Sequence, residues 1–508
     1  MDSLIKILPT WIAFSPLLGF FCLLWVPRNR SGWVKGVGML STLPPLLLSL
    51  FLYQRFDFAS REVQFSHTFD WFHIPLPQGQ TWSFSYSMGV DGLSMPLVVM
   101  TAVIATLAAT ASMYVKKRTK GYFLLFTLLE VGMLGVFMAR NLLLFFLFFE
   151  VTLVATFFLI GIWGLVHREK AANQFLLYNG LGSAFMLIAF IGIMVLFQTL
   201  DFSRLQMVLN NPQTQMALAS QPQFQTLIWG IFIALVIAFG IKLPIFPFHT
   251  WMLKVHAEAP PSVVMIHAGV LLKMGAYGLI RFGVELFPSQ LREAAVVLAV
   301  LGLINILYGA VLAFVQQDLR RVLAYASVSH MGIILFGIAS LNVEGLSGAV
   351  FQAVSHGFIS ALMFFFIGSL YERTRTTRIE ELGGLARSMP VLSGVFLAGG
   401  LALLGLPGMS GFVAEFLAFL GLFQTQPILA ACGAIGLILA AIYTLRAVLG
   451  TTFGPDRGTW SGPADIRTYE AAPMFILLAL IVLVGVYPGV LGDPMQTTLQ
   501  LIVSRIGG

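Results

Sequence analysis

Residues 226–247, TLIWGIFIALVIAFGIKLPIFP, decide what kind of fold this sequence can adopt. The stretch is long enough to cross a bilayer as a helix, and its only charged residue is Lys242. Pro244 and Pro247 follow that lysine, and proline removes a backbone donor and breaks a helix. The stretch therefore predicts a membrane-spanning helix that is interrupted where it carries a buried charge.

The rest of the chain has the same character. Of its 508 residues, 58% are hydrophobic and 10% are charged, and the mean hydropathy is +0.89. A soluble protein is roughly 45–50% apolar and about 25% charged. This composition argues against a cytosolic enzyme and a disordered scaffold. The net charge of +7 does not require a nucleic-acid partner, because membrane proteins collect lysine and arginine in their cytoplasmic loops.

Fourteen apolar stretches predict an all-α polytopic membrane protein with about 14 transmembrane helices. They cover residues 10–26, 34–54, 90–114, 121–139, 141–163, 173–200, 226–247, 259–282, 294–315, 322–341, 346–370, 390–423, 427–450 and 471–491.

The basic residues between these spans are distributed unevenly. The odd-numbered loops hold 19 Lys and Arg, whereas the even-numbered loops and both termini hold 8, among them Arg140 and Arg281. Positive residues favour the cytoplasmic side. The count predicts that the odd loops are cytoplasmic and that both termini lie on the outer face of the cell membrane.

One even-numbered loop has a β-like pattern. Residues 66–87 alternate polar and bulky side chains on both sides of the sequence PLPQGQ at 75–80. Alternation around a turn-forming sequence is typical of a hairpin. We therefore expect a short hairpin over the outer membrane surface, with an irregular loop as the alternative.

Five charged residues in the apolar spans are candidates for function. Lys242 and Lys273 are too central to reach the interface, and Glu150, Glu130 and Glu415 also lie in apolar surroundings. A charge at bilayer depth costs at least about 2.5–3.5 kcal/mol, so each is a functional candidate. A static ion pair that only fixes helix packing is the alternative for Glu150 and Lys242.

Four histidines accompany these charges. His330, His356 and His267 lie in the tenth, eleventh and eighth spans, and His249 follows the proline break of the seventh span. Each is as readily a hydrogen-bonded core residue as a proton relay.

No metal site is expected, because the histidines lack ligand spacing. The two cysteines, Cys22 and Cys432, lie in apolar blocks and are predicted to be buried structural thiols.

A second proline-broken span indicates an internal repeat. The sequence LLGLP at 403–407 precedes Glu415 in the twelfth span, as GIKLP at 240–244 breaks the seventh. Interrupted helices at corresponding positions are typical of inverted repeats. The predicted units are an N-terminal three-helix segment with the hairpin, a first five-helix repeat, a second, inverted repeat, and a C-terminal loop with the last span. Their bounds are residues 1–120, 121–283, 284–452 and 453–508.

Several stretches closely resemble the antiporter-like subunits of respiratory complex I and the related Mrp antiporters. These stretches are residues 145–164 (FFLFFEVTLVATFFLIGIWG), 238–282, 323–332 (LAYASVSHMG), 356–384 and 89–94 (GVDGLS). Within that family, an acid in the broken twelfth span, here Glu415, resembles the pattern of chain M.

The resemblance implies roles for the buried residues. It implies that Glu150 pairs with Lys242, that Lys273 is the central lysine, and that Glu415 is the outer proton-release site. It places His330 and His356 on the polar axis that connects them. Glu130 matches an acid found in some members, and His249 is a further candidate relay.

The resemblance also implies an activity and partners. The chain would be a proton-translocating subunit of an NADH:quinone oxidoreductase, without a redox centre or cofactor of its own. Flavin, iron–sulfur clusters and quinone would belong to partner subunits, and other antiporter-like subunits would be its neighbours in the bilayer. The alternatives are a cation/proton antiporter subunit of the Mrp type and a membrane subunit of a hydrogenase-like complex.

Overall fold

The computed structural model describes residues 5–75, 81–455, 457 and 465–506. Among these residues, thirteen helices are long and apolar enough to cross a membrane. Their bounds are Leu8–Trp25, Ser31–Arg55, Ser94–Tyr114, Thr119–Met138, Leu142–Trp163, Arg168–Phe197, Pro222–Lys242, Pro261–Val284, Pro288–Val315, Leu319–Ala339, Val343–Thr374, Pro427–Thr452 and Thr468–Val486. The twelfth predicted span is divided into Pro390–Leu403 and Ser410–Thr425. The predicted all-α membrane fold is confirmed.

Both predicted helix breaks are present. The seventh span ends at Lys242, and the chain becomes helical again over Thr250–Glu258. The twelfth span turns at Gly405 and Gly408, whose φ angles of +76° and +90° favour glycine. Breaks of this kind leave backbone polar groups free at membrane depth, where a buried polar site can use them.

Hydrogen bonds between loops divide the loops into two faces. We call the face formed by odd-numbered loops the basic face and the face formed by even-numbered loops and both termini the terminal face. Odd-numbered loops are joined to one another by backbone hydrogen bonds that Leu165 N–H donates to Glu258 O, Leu319 N–H to Thr377 O and Gly384 N–H to Phe453 O. Even loops are joined by Arg140 N to Ser87 O and Leu142 N to Leu200 O. This alternation is expected when each span crosses the membrane once.

The predicted hairpin lies on the terminal face. Strand β1 (Gln64–Pro75) pairs antiparallel with strand β2 (Thr81–Val90). Its aromatic cross-strand pairs stack at centroid distances of 4.8 Å for Phe69–Tyr86 and 4.6 Å for Phe72–Phe84. The hairpin is confirmed over these strands, and residues 76–80 of its predicted turn lie outside the described residues.

A further helix, Gly489–Ile506, follows the last span and was not predicted. It packs against the terminal face, where Thr498 Oγ1 accepts a hydrogen bond of 3.0 Å from Gly92 N–H. A Cβ atom at Gly92 would lie 2.2 Å from the Pro494 carbonyl oxygen. Only glycine permits this close approach between the helix and the start of the third span.

The centre of the protein is formed by the eighth, tenth and eleventh spans. The most apolar windows of the eighth and eleventh spans are completely buried. Cys22 is exposed and Cys432 is half-exposed, so the prediction of two buried thiols was wrong. Apolar neighbours did not distinguish protein core from lipid-facing surface, because lipid tails are as apolar as leucine.

Candidate functional site

Lys242 occupies the last turn of the helix before the proline break and is 1% exposed. Its Nζ atom has no hydrogen-bond partner. Instead it lies 4.7 Å from the Phe149 ring centroid and 5.7 Å from that of Phe175. The negative faces of these two rings partly compensate the buried ammonium group.

Glu150 follows Phe149 directly on the fifth span and is half-buried. Its Oε1 atom is buried and has no hydrogen-bond partner, as is the case for Lys242 Nζ. The structure therefore holds Glu150 and Lys242 near the same aromatic residue but not in an ion pair. The ring contact and the carboxylate are alternative partners for one lysine.

Lys273 is held by a local change in helix geometry. The eighth span is π-helical over His267–Leu271, so Leu272 N–H bonds to His267 O instead of to Ala268 O. The Lys273 Nζ atom donates to Ala268 O at 2.5 Å. Nζ also lies 2.7 Å from Nδ1 of His356 on the eleventh span. The π-helical turn thus provides an acceptor for a lysine that is fully buried.

From His356 a row of polar side chains continues to Glu415. The His356 and His330 ring centroids are 5.3 Å apart. His330 Nδ1 accepts a 3.0 Å hydrogen bond from Gln352 Nε2 and lies 3.6 Å from Glu415 Oε1. The structure brings together Lys273, His356, His330 and Glu415. Sequence reasoning missed Gln352, whose signal was its position one helical turn before His356.

The Glu415 carboxylate depends on Gly405. A Cβ atom at Gly405 would lie 2.4 Å from Glu415 Oε2. A cavity of about 560 Å³ opens beside the carboxylate and is lined mainly by apolar side chains, among them Phe412, Phe416 and Phe419. The twelfth-span break thus makes room for an acid at the edge of the protein core.

His249 lies close to the basic face. Both of its ring nitrogens lack a hydrogen-bond partner, and its ring packs against Phe246 and Tyr308. A cavity of about 480 Å³ reaches Thr250, the next residue. The charged and titratable residues that line this cavity are His167, Lys170, Lys254, Glu258, Arg321 and Tyr325.

Glu130 is separate from this row. It is fully buried, and both of its carboxylate oxygens lack a hydrogen-bond partner. No ion pair or hydrogen bond within the described parts of the chain joins Glu130 to another candidate residue. Nor does any group of three or more His, Cys, Asp or Glu side chains among the described residues have a geometry that could hold a metal ion.

A buried ion cluster, unpredicted from the sequence, lies at the terminal face. Asp91 Oδ2 lies 3.2 Å from Arg140 and 2.7 Å from Arg281, and Arg281 lies 2.6 Å from Glu285. Gln206 Nε2 donates to Glu285 Oε2 at 2.8 Å. Asp91 precedes the third span, so one carboxylate joins the third and eighth spans to the loop that contains Arg140.

The cluster changes the electrostatics of its acids. Burial opposes ionisation of Asp91, but the Arg281 and Arg140 guanidinium groups outweigh burial and lower the pKa of this carboxyl. Burial raises the pKa of Glu285 although Arg281 opposes it. The predicted span 259–282 included Arg281, although the charge count grouped it with the even-numbered loops; it is buried near the end of the eighth span, where two acids compensate its charge.

Comparisons with known proteins match nearly the whole chain. The family model described as NADH:quinone oxidoreductase/Mrp antiporter, TM matches residues 139–442. The model described as NADH-ubiquinone oxidoreductase chain 4, amino terminus, matches residues 38–138. NAD(P)H-quinone oxidoreductase chain 4 2 of Thermosynechococcus vestitus is 39% identical over 512 residues, covering 98% of this chain and 92% of that protein.

Solved structures give a similar result. A chain of respiratory complex I from Thermus thermophilus with bound NADH is 30% identical, with a TM-score of 0.84, and the match covers 98% of this chain and 100% of that chain. A chain of the Mrp complex from Dietzia sp. DQ12-45-1b is 20% identical, with a TM-score of 0.84. The match covers 100% of this chain and 100% of that chain. The second match shows a common fold.

Proposed function

Since this chain belongs to the NADH:quinone oxidoreductase and Mrp antiporter family of membrane subunits, we propose that it translocates protons in an NAD(P)H:quinone oxidoreductase. The observation that carries the proposal is the row of side chains from Lys273 through His356 and His330 to Glu415. Each member can bind and release a proton. The match of residues 38–138 to the amino terminus of chain 4 favours this function over that of an Mrp antiporter.

The proposed cycle begins at Lys242. When Glu150 approaches, the lysine is stabilised in its charged form; when Glu150 withdraws, Phe149 compensates the ammonium only in part and the proton moves towards Lys273. Moving one charge against the membrane potential costs about 2.3 kcal/mol per 100 mV. Loss of one partner from a buried ion pair costs about 3–5 kcal/mol, so forming and separating such a pair is of the right order to drive this step.

Release follows from the contacts at the far end of the row. A proton on Lys273 passes to His356 through the 2.7 Å contact and then to His330 and Glu415. Glu415 is the proposed release site, and the cavity that reaches Thr250, next to His249, is the proposed route of uptake. The isolated Glu130 is proposed as an accessory proton site, because its oxygens have no other partner.

The direction of transport depends on the orientation of the chain. We propose that the basic face is cytoplasmic and that both termini lie outside the cell membrane. We also propose the division into residues 1–120, 121–283, 284–452 and 453–508, with two inverted repeats. The breaks after Lys242 and Leu403 support this division.

Partner subunits must provide the energy. Flavin, iron–sulfur clusters and quinone would lie in those subunits, and this chain would couple to them through neighbouring antiporter-like subunits. Its own residues then only bind, hold and pass protons.

The decisive experiment is the replacement Lys242→Ala in the assembled complex. In inverted vesicles, quinone-dependent proton uptake should be lost, while Lys6→Ala, which changes an exposed lysine near the amino terminus, should have no effect. Native gels check assembly. A proton-to-electron ratio in Lys242→Ala equal to that of the unmodified complex would overturn the proposal.

A further inference from the structure

Asn305 on the ninth span is fully buried, and both polar atoms of its side chain form hydrogen bonds. Its Oδ1 atom accepts a 2.8 Å hydrogen bond from Phe246 N–H. Its Nδ2 group donates to Pro244 O at 3.3 Å and to Val328 O at 3.4 Å. One amide side chain therefore joins the break of the seventh span to the ninth and tenth spans.

The hydrogen bond from Phe246 N–H replaces one that would belong to the seventh helix. In a continuous α-helix, Phe246 N–H would donate to Lys242 O, four residues earlier. Here Asn305 Oδ1 accepts it instead, next to Pro244, which has no N–H group. Within the described parts of the chain, Asn305 is the only hydrogen-bond partner of Phe246 N–H and of Pro244 O. Without Asn305, both backbone groups would be left unsatisfied beside the end of the helix.

The backbone around Lys242 is thus held on both sides of the lysine. On the helical side, Ile241 O accepts a 3.2 Å hydrogen bond from the indole N–H of Trp251. On the other side, Asn305 binds the two backbone groups of the break. Since Lys242 Nζ has no hydrogen-bond partner, these backbone contacts fix where the lysine lies relative to the Phe149 ring.

The same amide reaches the tenth span close to His330. Val328, whose carbonyl oxygen accepts from Asn305 Nδ2, precedes His330 by two residues. A Cβ atom at Gly332 would lie 2.9 Å from the Cβ atom of Asn305, so only glycine lets the two spans approach this closely. The break of the seventh span is therefore anchored to the part of the tenth span that carries a member of the polar row.

We propose that Asn305 is a positioning residue for Lys242: it fixes the end of the seventh span so that the lysine can exchange Phe149 for Glu150. This inference rests on the proposed function. The amide does not titrate, so its effect on proton transfer passes through the backbone of the break. Loss of its hydrogen bonds would release the segment that follows the helix and let Lys242 move away from both partners.

The test uses the assembled complex in inverted vesicles, with assembly checked on native gels. Asn305→Leu keeps nearly the same side-chain volume but removes all three hydrogen bonds. It should lower quinone-coupled proton uptake roughly tenfold or more, because a displacement of about 1 Å can cost about 10²-fold in a step that depends on geometry.

Ser329→Ala is the matched control. It removes the 3.0 Å hydrogen bond that Ser329 Oγ donates to Ile306 O, which also joins the ninth and tenth spans but does not involve the break. Proton uptake in this variant should stay close to that of the unmodified complex. Equal losses in Asn305→Leu and Ser329→Ala would overturn the proposal, since contact between the two spans would then be all that matters.

Two further measurements separate positioning from packing. In Asn305→Asp, a neutral carboxyl group can accept from Phe246 N–H and donate to Pro244 O, and burial among uncharged groups favours the neutral form. This variant should therefore retain several-fold more uptake than Asn305→Leu, and equal uptake in the two would overturn the proposal. Amide hydrogen exchange in residues 243–249 should be faster in Asn305→Leu than in Ser329→Ala. Unchanged exchange there would also overturn it.

The lysine variant distinguishes the two proposals. If Lys242→Ala abolishes uptake while Asn305→Leu retains it, the positioning role is wrong and the proposed function stands. If Lys242→Ala also retains uptake, the proposed function is wrong and the positioning role with it.

Discussion

Lys242 Nζ lies 4.7 Å from the ring centroid of Phe149, the residue that immediately precedes Glu150. A helix that carries both a π face and a carboxylate next to one lysine can offer either partner after a small displacement. The ring stabilises the ammonium less than a carboxylate in ion-pair contact would, so exchange between them changes how firmly the lysine holds its proton.

Phe149→Leu should slow coupled proton uptake by about 2–30-fold, because a cation–π contact is worth about 0.5–2 kcal/mol. Phe149→Tyr should retain most activity, since it keeps the π face. Phe158→Leu, at an exposed position on the same span, is the matched control. Equal rates in Phe149→Leu and Phe158→Leu would show that the ring has no electrostatic role.

Glu150→Gln should impair proton uptake nearly as severely as Lys242→Ala, because an amide cannot switch the lysine's charge. The double variant should be no worse than the more severe single variant, since both residues act on one step. Proton-uptake rates in inverted vesicles are measured for the unmodified complex, the two single variants and the double variant, which together form a double-mutant cycle. Additive losses would mean that the residues act independently.

At Glu415, the ability to titrate should matter more than shape. Glu415→Gln and Glu415→Ala should both stop proton release, whereas Glu415→Lys should retain part of it because a titratable group remains. Quinone-dependent uptake is measured for all three variants, with assembly checked on native gels. Full activity of the Glu415→Gln variant would show that Glu415 serves only to pack the helix break.

Gly405→Ala tests the space around the same carboxylate. The new Cβ atom would lie 2.4 Å from Glu415 Oε2, and the positive φ angle would add about 1–2 kcal/mol of strain. We expect coupled uptake to fall severely. A Cβ atom at Gly394, on the first half of the same span, would have no neighbouring atom within 4 Å, so Gly394→Ala should leave proton uptake unchanged. Similar activity in the two variants would refute the assignment of Gly405 as the residue that makes room for Glu415.

Asp91→Asn should destabilise the protein by about 3–5 kcal/mol at pH 7, because it leaves Arg140 and Arg281 buried without their shared carboxylate. The folded-state pKa of Asp91 lies below the ordinary value. The contribution of the Asp91 carboxylate to the free energy of unfolding is therefore fully present above the ordinary carboxyl pKa. It is lost as the pH falls through the folded-state pKa. The difference in stability between the unmodified protein and Asp91→Asn should follow this course.

Thermal unfolding of the purified complex at several pH values measures this effect. Asp70→Asn, on the exposed strand β1, should leave the Tm unchanged. A pH-independent difference between the unmodified protein and Asp91→Asn would exclude the carboxylate's charge as its cause.

The spans, the hairpin and the two helix breaks could all be predicted from the sequence. In a bilayer each segment must satisfy its own backbone hydrogen bonds, so the length of an apolar run defines a spanning helix locally. Pro244 and Pro407 act on the backbone beside them, and alternation in residues 66–87 directs side chains to the two sides of a hairpin. The charge of Lys242 and Lys273 was conspicuous because the surrounding residues are apolar.

Which of these groups come into contact could not be predicted without the packing of the helices. The contact of Lys273 with His356, and that of Asp91 with Arg281, join residues 83 and 190 positions apart. These contacts depend on the rotation and packing of whole helices, and on a π-helical turn that the sequence did not indicate. Cys22 was misplaced for the same reason: lipid and protein core select the same apolar residues, so only packing decides which side of a helix is buried.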